Sequence, residues 1–243
     1  MPKLAIVIPM YNEERGVERC VRAVCKVLSE KLPESKLFVV NDGSKDKTLS
    51  ILQKLSEEKL PMQIVSHSPN RGYGGAILAG VRAADAANYE FALFMDSDLT
   101  NDPDLIPLFD AKVREDRFDL IKASRYVPGG GMQGVPLKRQ IVTIVGNRVA
   151  SGLFGMGIND CTNGFRAVRL SFLRDVSFTE RGFPSIMEEM YWMKRKGARA
   201  TEIPYTLTSR KVEDGPTKFA YKPSVVLAYL KYAVKAATFP HRS

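Results

Sequence analysis

Cysteine is scarce in this sequence: three residues in 243, at Cys20, Cys25 and Cys161. The first two lie five apart in a helical pattern and the third stands alone. Neither a zinc-binding spacing nor an even-numbered disulfide framework is present. Buried free thiols in a reducing compartment are the expectation. Long apolar runs are missing too. The longest stretch without a charged residue is 126–137, rich in glycine and proline, whereas a helix that crosses a bilayer needs about 20 apolar residues. The leading MPKLAIVIPMYNEE has neither a basic lead nor a long apolar core, so no secretion signal is expected from it. No internal repeat or low-complexity tract interrupts the chain, which excludes repeat and low-complexity architectures.

What is present fits an ordinary globular chain, with 44% hydrophobic and 26% charged residues. A length of 243 residues suits one α/β domain. The net charge of +9 is uneven: from Arg199 onward eight basic residues face three acidic ones. Such a balance favours an anionic partner, whether phosphate, acidic lipid or nucleic acid. Nucleic acid is the least suited of these. Aromatic residues are not interleaved with Lys and Arg as base stacking requires, and the acids described next would repel a polyanion.

Short apolar runs at 4–8, 37–40, 62–66, 91–95 and 120–124 read as strands. Helical spacing fills the gaps: Val17, Val21, Val24, Leu28 and Leu32; then Leu49, Leu52 and Leu55 behind a cap at Ser44 or Asp46; then 75–87 and 104–117. Continuous apolar strands alternating with helices predict an open, mainly parallel α/β sheet covered on both faces. Further on, 127–136 reads as a glycine-rich loop, 137–158 as one helix or two, and NDCTNGFRAV as a polar turn entering an apolar element. The remainder reads as a helix at 186–197 closed by Gly197, a strand from Ala200, a loop, and a final helix at 225–239. The expected organisation is a catalytic domain over 1–222 and a C-terminal amphipathic helix or tail over 223–243.

In open parallel sheets, ligands bind beyond the carboxyl ends of the strands. The polar motifs PMYNEE, NDGS, NRGYGG, DSD and SRY all fall there. Asp96 and Asp98 are two apart in extended chain and project the same way, about 6.6 Å apart. Two such carboxylates repel unless a cation joins them. A hard divalent ion takes oxygen ligands and bridges readily to substrate phosphates, neutralising a diphosphate as it leaves. The competing reading is that Asp98 or Asp102 merely caps a helix that starts at Pro103. Tyr11 offers a ring for a nucleobase, Glu13 a carboxylate for a ribose, and Asp42 an acceptor for a base N–H. In NRGYGG, glycines would let the backbone around Arg71 pass close to a phosphate at a helix N-terminus. This segment is neither the six-residue dinucleotide fingerprint nor a P-loop.

IVIPMYNEE, VVNDGSKDKT, NRGYGGA, DSDL, SRYVPGGG, DCTNGFRA and the distal Arg210 and Lys218 occur in one order over about residues 3–220. Together they resemble family 2 glycosyltransferases, in the branch of dolichyl-phosphate mannose synthases and other polyprenyl-phosphate hexosyltransferases. The resemblance implies a nucleotide-diphospho-sugar transferase fold of the GT-A type. It also implies an inverting transfer of mannose or glucose from a GDP- or UDP-hexose to a polyprenyl phosphate. Pro9, Tyr11, Glu13, Val40 and Asp42 would contact the nucleoside. Asp96, Ser97 and Asp98 would hold the diphosphate through Mg²⁺ or Mn²⁺, and Arg125 would bind phosphate or sugar. Arg210 and Lys218 would close over the donor diphosphate and the lipid phosphate. The chain departs from the pattern in places. Thr100 stands where a Gln often ligates metal, Ala123 replaces a Gly, extra residues separate Arg210 from Lys218, and Glu189 has no counterpart. A lipid phosphate is already anionic near neutral pH, so no strong base is required. Asp160 is the alternative, as a base toward a soluble hydroxyl acceptor. A lipid acceptor implies a cytoplasmic location, peripheral on the cytoplasmic face of a membrane. Contact there would run through 137–158 and the C-terminal helix, against the bilayer or a small membrane subunit.

Overall fold

The computed structural model describes residues 1–208 and 223–238. Its first half alternates strictly: β1 (Leu4–Met10), α1 (Val17–Lys31), β2 (Lys36–Asp42), α2 (Thr48–Glu57), β3 (Met62–His67), α3 (Gly72–Ala86) and β4 (Phe91–Phe94). There follow α4 (Ile106–Arg114), β5 (Leu120–Ser124), β6 (Gly131–Met132), α5 (Leu137–Phe154), β7 (Arg166–Arg169), α6 (Ser185–Arg195), β8 (Ala200–Pro204), β9 (Thr206–Leu207) and α7 (Pro223–Ala237). Seven strands form one sheet in the order β3-β2-β1-β4-β7-β5-β8, while β6 and β9 pair separately. Only β7 runs antiparallel to its neighbours in the large sheet.

The apolar runs are continuous because each strand feeds two cores. Leu4, Ile6 and Ile8 of β1 face α1, α2 and α4, joining Val21, Leu52 and Phe109. Ala5 and Val7 face the other way, with Ala76, Ile77 and Val81 of α3 and Met187 and Met190 of α6. Each fully buried Val, Leu or Phe side chain stabilises the fold by about 1.5–3 kcal/mol, so both layers are needed. Gly80 lets α3 press onto the sheet: a Cβ there would collide with Val7 and meet Val40. The three cysteines are buried and unpaired, and burial pushes the Cys25 thiol up to about 11.

The expected strands and helices appear, with differences at their ends. The glycine cluster itself forms the first turn of α3, which begins at Gly72 rather than at residue 75. Asp46 precedes Lys47, the N-cap of α2, and its Oδ1 accepts from Thr48 N–H at 3.0 Å. Asp102, not Asp98, caps the short turn before α4, accepting from Asp104 N–H at 2.9 Å. The segment 137–158 contains one helix, α5, closed by Gly155 in the left-handed region. The main surprise is β7. RAVR, expected in an apolar element after a polar turn, is a central antiparallel strand between β4 and β5. Arg166 can lie there because Glu189 of α6 meets it with two bonds of 2.6 Å.

Candidate active site

A cleft of about 1220 Å³ opens at the carboxyl ends of β1, β2, β4 and β5. Its floor carries Pro9, Tyr11, Glu13, Asp42, Asp96, Ser97, Asp98 and Arg125. The strand-end motifs thus do converge. Helices α5 and α7 form the far wall with Arg139, Val142, Thr143, Tyr229 and Leu230 among others. Acidic and basic side chains share its lining: Glu13, Asp42, Asp96 and Asp98 with Arg125, Arg139 and Arg181. Arg210 and Lys218 lie outside the described residues.

Asp96 and Asp98 are half-buried on a turn that a hydrogen-bonded network holds. Thr100 donates to Asp98 Oδ1 twice, from its N–H at 3.0 Å and its hydroxyl at 2.7 Å. Asn101 Oδ1 accepts from Asp96 N–H at 2.8 Å. Tyr205 donates its phenolic hydrogen to the Thr100 carbonyl at 2.7 Å and accepts from Asn101 Nδ2 at 3.3 Å. Burial, together with the nearby Asp96 and Asp98, holds this phenol well above its usual range, so it stays a donor. Among the described residues, no group of three or more His, Cys, Asp or Glu side chains is placed to hold a metal alone. Two carboxylates with hard oxygen donors nonetheless fit Mg²⁺ or Mn²⁺, which complete their shells with water and substrate phosphate.

Asp42 lines the cleft and also binds its own chain. Its Oδ1 accepts from His67 Nε2 at 2.6 Å and Arg71 N–H at 2.7 Å. Its Oδ2 accepts from Asn70 Nδ2 at 2.8 Å and Gly72 N–H at 2.9 Å. A carboxylate offers about four lone-pair sites, and the chain itself takes all four. Asp42 therefore anchors NRGYGG to the end of β2. The glycines of that motif also make room for neighbouring protein. A Cβ on Gly72 or Gly74 would collide with the carbonyl oxygens of Arg181 or Glu180. Gly74 N–H donates to Arg181 O at 3.1 Å, so protein acceptors already occupy the first turn of α3. Arg71 is exposed and does not line the cleft, whereas Arg181 does. Val40 is fully buried beneath α3, with its side chain in the core.

Arg125 forms a two-pronged pair with Asp160. Nε donates to Oδ2 and Nη2 to Oδ1, both at 2.7 Å. The Asp160 side chain is fully buried and that of Arg125 nearly so. Behind them lie two further buried cations. Arg166 pairs with Glu189 and donates through Nη1 to Gly164 O at 2.7 Å, beside Asp96. Lys122 donates to Asn163 O at 2.8 Å, and burial pushes its ammonium down to about 8. Glu188 caps the preceding loop, accepting from Thr179 and Glu180 N–H groups at 2.8–2.9 Å. Sequence reasoning missed Asn101, Thr162, Asn163, Arg181 and Tyr205 as parts of the site. The TNGF segment did signal polar turn chemistry, but nothing local linked Tyr205 to the acids.

A mainly parallel sheet with paired carboxylates at the end of β4, in one cleft with Arg125, has the architecture of the GT-A type. Residues 5–177 match the model for Glycosyl transferase family 2, and the chain belongs to that family. It is 28% identical over 213 residues to undecaprenyl-phosphate mannosyltransferase of Micrococcus luteus, covering 86% of this chain and 85% of that one. It is 30% identical over 212 residues to polyprenol monophosphomannose synthase of Mycolicibacterium smegmatis, covering 85% and 78% respectively. Against dolichol-phosphate mannosyltransferase of Pyrococcus furiosus it is 28% identical, covering 95% of this chain but only 62% of that one. Among solved structures it resembles glucosyl-3-phosphoglycerate synthase of Mycobacterium tuberculosis in complex with Mn²⁺, uridine diphosphate and glucosyl-3-phosphoglycerate. The TM-score is 0.68 at 16% identity, covering 99% of this chain and 82% of that one. A second structure of the same enzyme, with Mg²⁺ and uridine diphosphate, gives 0.66 at 17% identity, covering 99% and 81%. The structural likeness establishes the fold.

Proposed function

We propose that this glycosyltransferase moves a hexose, mannose or glucose, from a GDP- or UDP-sugar to a polyprenyl phosphate, with inversion at the anomeric carbon. The observation that carries this reading is one cleft joining the Asp96–Asp98 pair to Arg125 and Arg139, and opening between two helices with bare apolar faces. The names of the relatives support the acceptor class. The acids would take the donor's diphosphate side. Arg125 would orient a phosphate, its own direction fixed by Asp160. Arg139 of α5, on the wall of the cleft, would meet the head of a lipid phosphate.

Pro9, Tyr11 and Glu13 line the end suited to the nucleoside, and Ser97 the floor beneath the diphosphate. Asp96 and Asp98 would hold Mg²⁺ or Mn²⁺, which when bound neutralises charge gathering on the departing diphosphate. The chain's own part is positioning and electrostatics. A phosphate oxygen that is already anionic attacks without a base. Asp160, committed to Arg125 and buried, is poorly placed to act as one. Arg210 and Lys218 would add positive charge over both phosphates.

Helices α5 and α7 expose Leu137, Ile141, Val142, Val145, Leu227 and Val234, with Lys138, Arg148 and Lys235 beside them. A bilayer interface suits such a surface, in keeping with peripheral attachment on the cytoplasmic side or beside a membrane subunit. No helix among the described residues is long and apolar enough to cross a membrane. The test is transfer from radiolabelled GDP-mannose or UDP-glucose, with Mn²⁺, to short-chain polyprenyl phosphate. Label should partition into organic solvent and be lost with a chelator. Label found only on a water-soluble hydroxyl acceptor would refute the lipid-phosphate reading.

A further inference from the structure

The geometry points to Tyr205 and Thr100 as positioning residues that keep the Asp96–Asp98 turn in its cation-gripping shape. The inference rests on the reading of these two acids given above and extends it to residues outside the pair. Leu99, next to Asp98, has φ +58°. A branched side chain avoids this left-handed region, and the conformation persists only where its surroundings hold it. Here the surroundings are one relay of hydrogen bonds. Thr100 holds the Asp98 carboxylate, Tyr205 holds the Thr100 carbonyl and Asn101, and Asn101 holds the Asp96 backbone.

Tyr205 is itself fixed from three sides. Its N–H donates to Ser124 O and its carbonyl accepts from Gly131 N–H, each at 3.0 Å. Its ring packs edge-on against Phe165 at 5.7 Å. Ser124 directly precedes Arg125. One residue therefore ties the Asp96–Asp98 turn to the end of β5, which Arg125 follows. It does so across 104 positions of sequence. Thr100 has its own part in the relay, because its hydroxyl orients the Asp98 carboxylate.

The test is binding of Mn²⁺ to the full chain, read by electron paramagnetic resonance and calorimetry with GDP or UDP present. Tyr205→Phe keeps the ring and removes one hydroxyl. It should weaken Mn²⁺-dependent binding about tenfold, as the loss of one buried hydrogen bond implies. Thr100→Val should act likewise and Thr100→Ser should restore binding, a pair that stays informative even if the Tyr205 variant folds poorly. Wild-type Mn²⁺ affinity in both Tyr205→Phe and Thr100→Val, with loss in Asp98→Asn, would reduce the relay to core packing. A wild-type chain that binds the nucleotides without any Mn²⁺ dependence would instead overturn the reading of the acids, and this inference with it.

Discussion

Asp98 lines the cleft and Asp160 lies buried beneath Arg125, and their neighbours give these two carboxylates different work. Asp98 accepts from the adjacent Thr100 and lines the cavity. Asp98→Asn should lower transfer by about a hundredfold or more, in the range of other electrostatic catalytic groups, with little change in melting temperature. Asp160 is fully buried against Arg125. Asp160→Asn leaves that guanidinium unpaired and should destabilise the fold by roughly 3–5 kcal/mol, measured by urea unfolding. Unchanged stability would return Asp160 to candidacy as a base. Lys122 offers a pH test. Burial lowers its folded pKa from 10.5 to about 8, so between these values the unfolded chain holds the extra proton. Its contribution to stability therefore rises with pH across that window. Lys122→Met should lack this rise, seen as a wild-type-minus-variant difference in unfolding free energy between about pH 8 and 10. At this scale the sequence is readable where chemistry and location coincide. Asp96, Asp98, Glu13 and Arg125 follow strand ends, and the strands can be seen. Tyr205 and Asn101 are not readable, because their value is a bond between residues a hundred positions apart.

Among elements, the boundary of α3 shows how much of a motif's work can lie within the chain itself. NRGYGG does form a helix N-terminus at the cleft. However, Asp42 and the loop 177–184 fill it: Arg181 Nη2 donates to Asn70 O at 2.8 Å, and its carbonyl accepts from Gly74. Gly74→Ala must push that loop away. It should cost about 1–3 kcal/mol, as overpacking does, and weaken nucleotide binding, since the same loop carries Arg181 and Phe183 into the cleft. Urea unfolding checks the first part, and calorimetric titration with GDP and UDP the second. β7 was hidden for a related reason. Four residues with Arg at each end carry no strand pattern of their own. The strand becomes legible only when Glu189 of α6 is known to neutralise Arg166 inside the sheet. By contrast, the alternating first half was open to reading, because each of its strands is apolar on both faces and each helix repeats every three or four residues.

For the molecule as a whole, the question is what the bare faces of α5 and α7 rest on. Leu137 is 70% exposed, Leu227 66% and Val142 59%, which is a lot of apolar surface in one place. The two helices wall the same cleft that holds the acids, so whatever covers them also controls entry to it. A basic chain, with Lys138, Arg148 and Lys235 around this surface, would be drawn to an anionic bilayer by charge and held there by apolar insertion. The two contributions can be separated. Charge attraction is screened as the Debye length falls from about 10 Å at 0.1 M salt to about 3 Å at 1 M, whereas insertion is not. The full chain should therefore sediment with vesicles containing phosphatidylglycerol at low salt and be only partly released by high salt. Leu227→Glu with Val234→Glu should remove the salt-resistant part. Nucleotide binding should survive this change, because neither residue lines the cleft. Complete release of the wild-type chain by salt would mean that attraction is electrostatic only and that the apolar faces rest on something other than lipid.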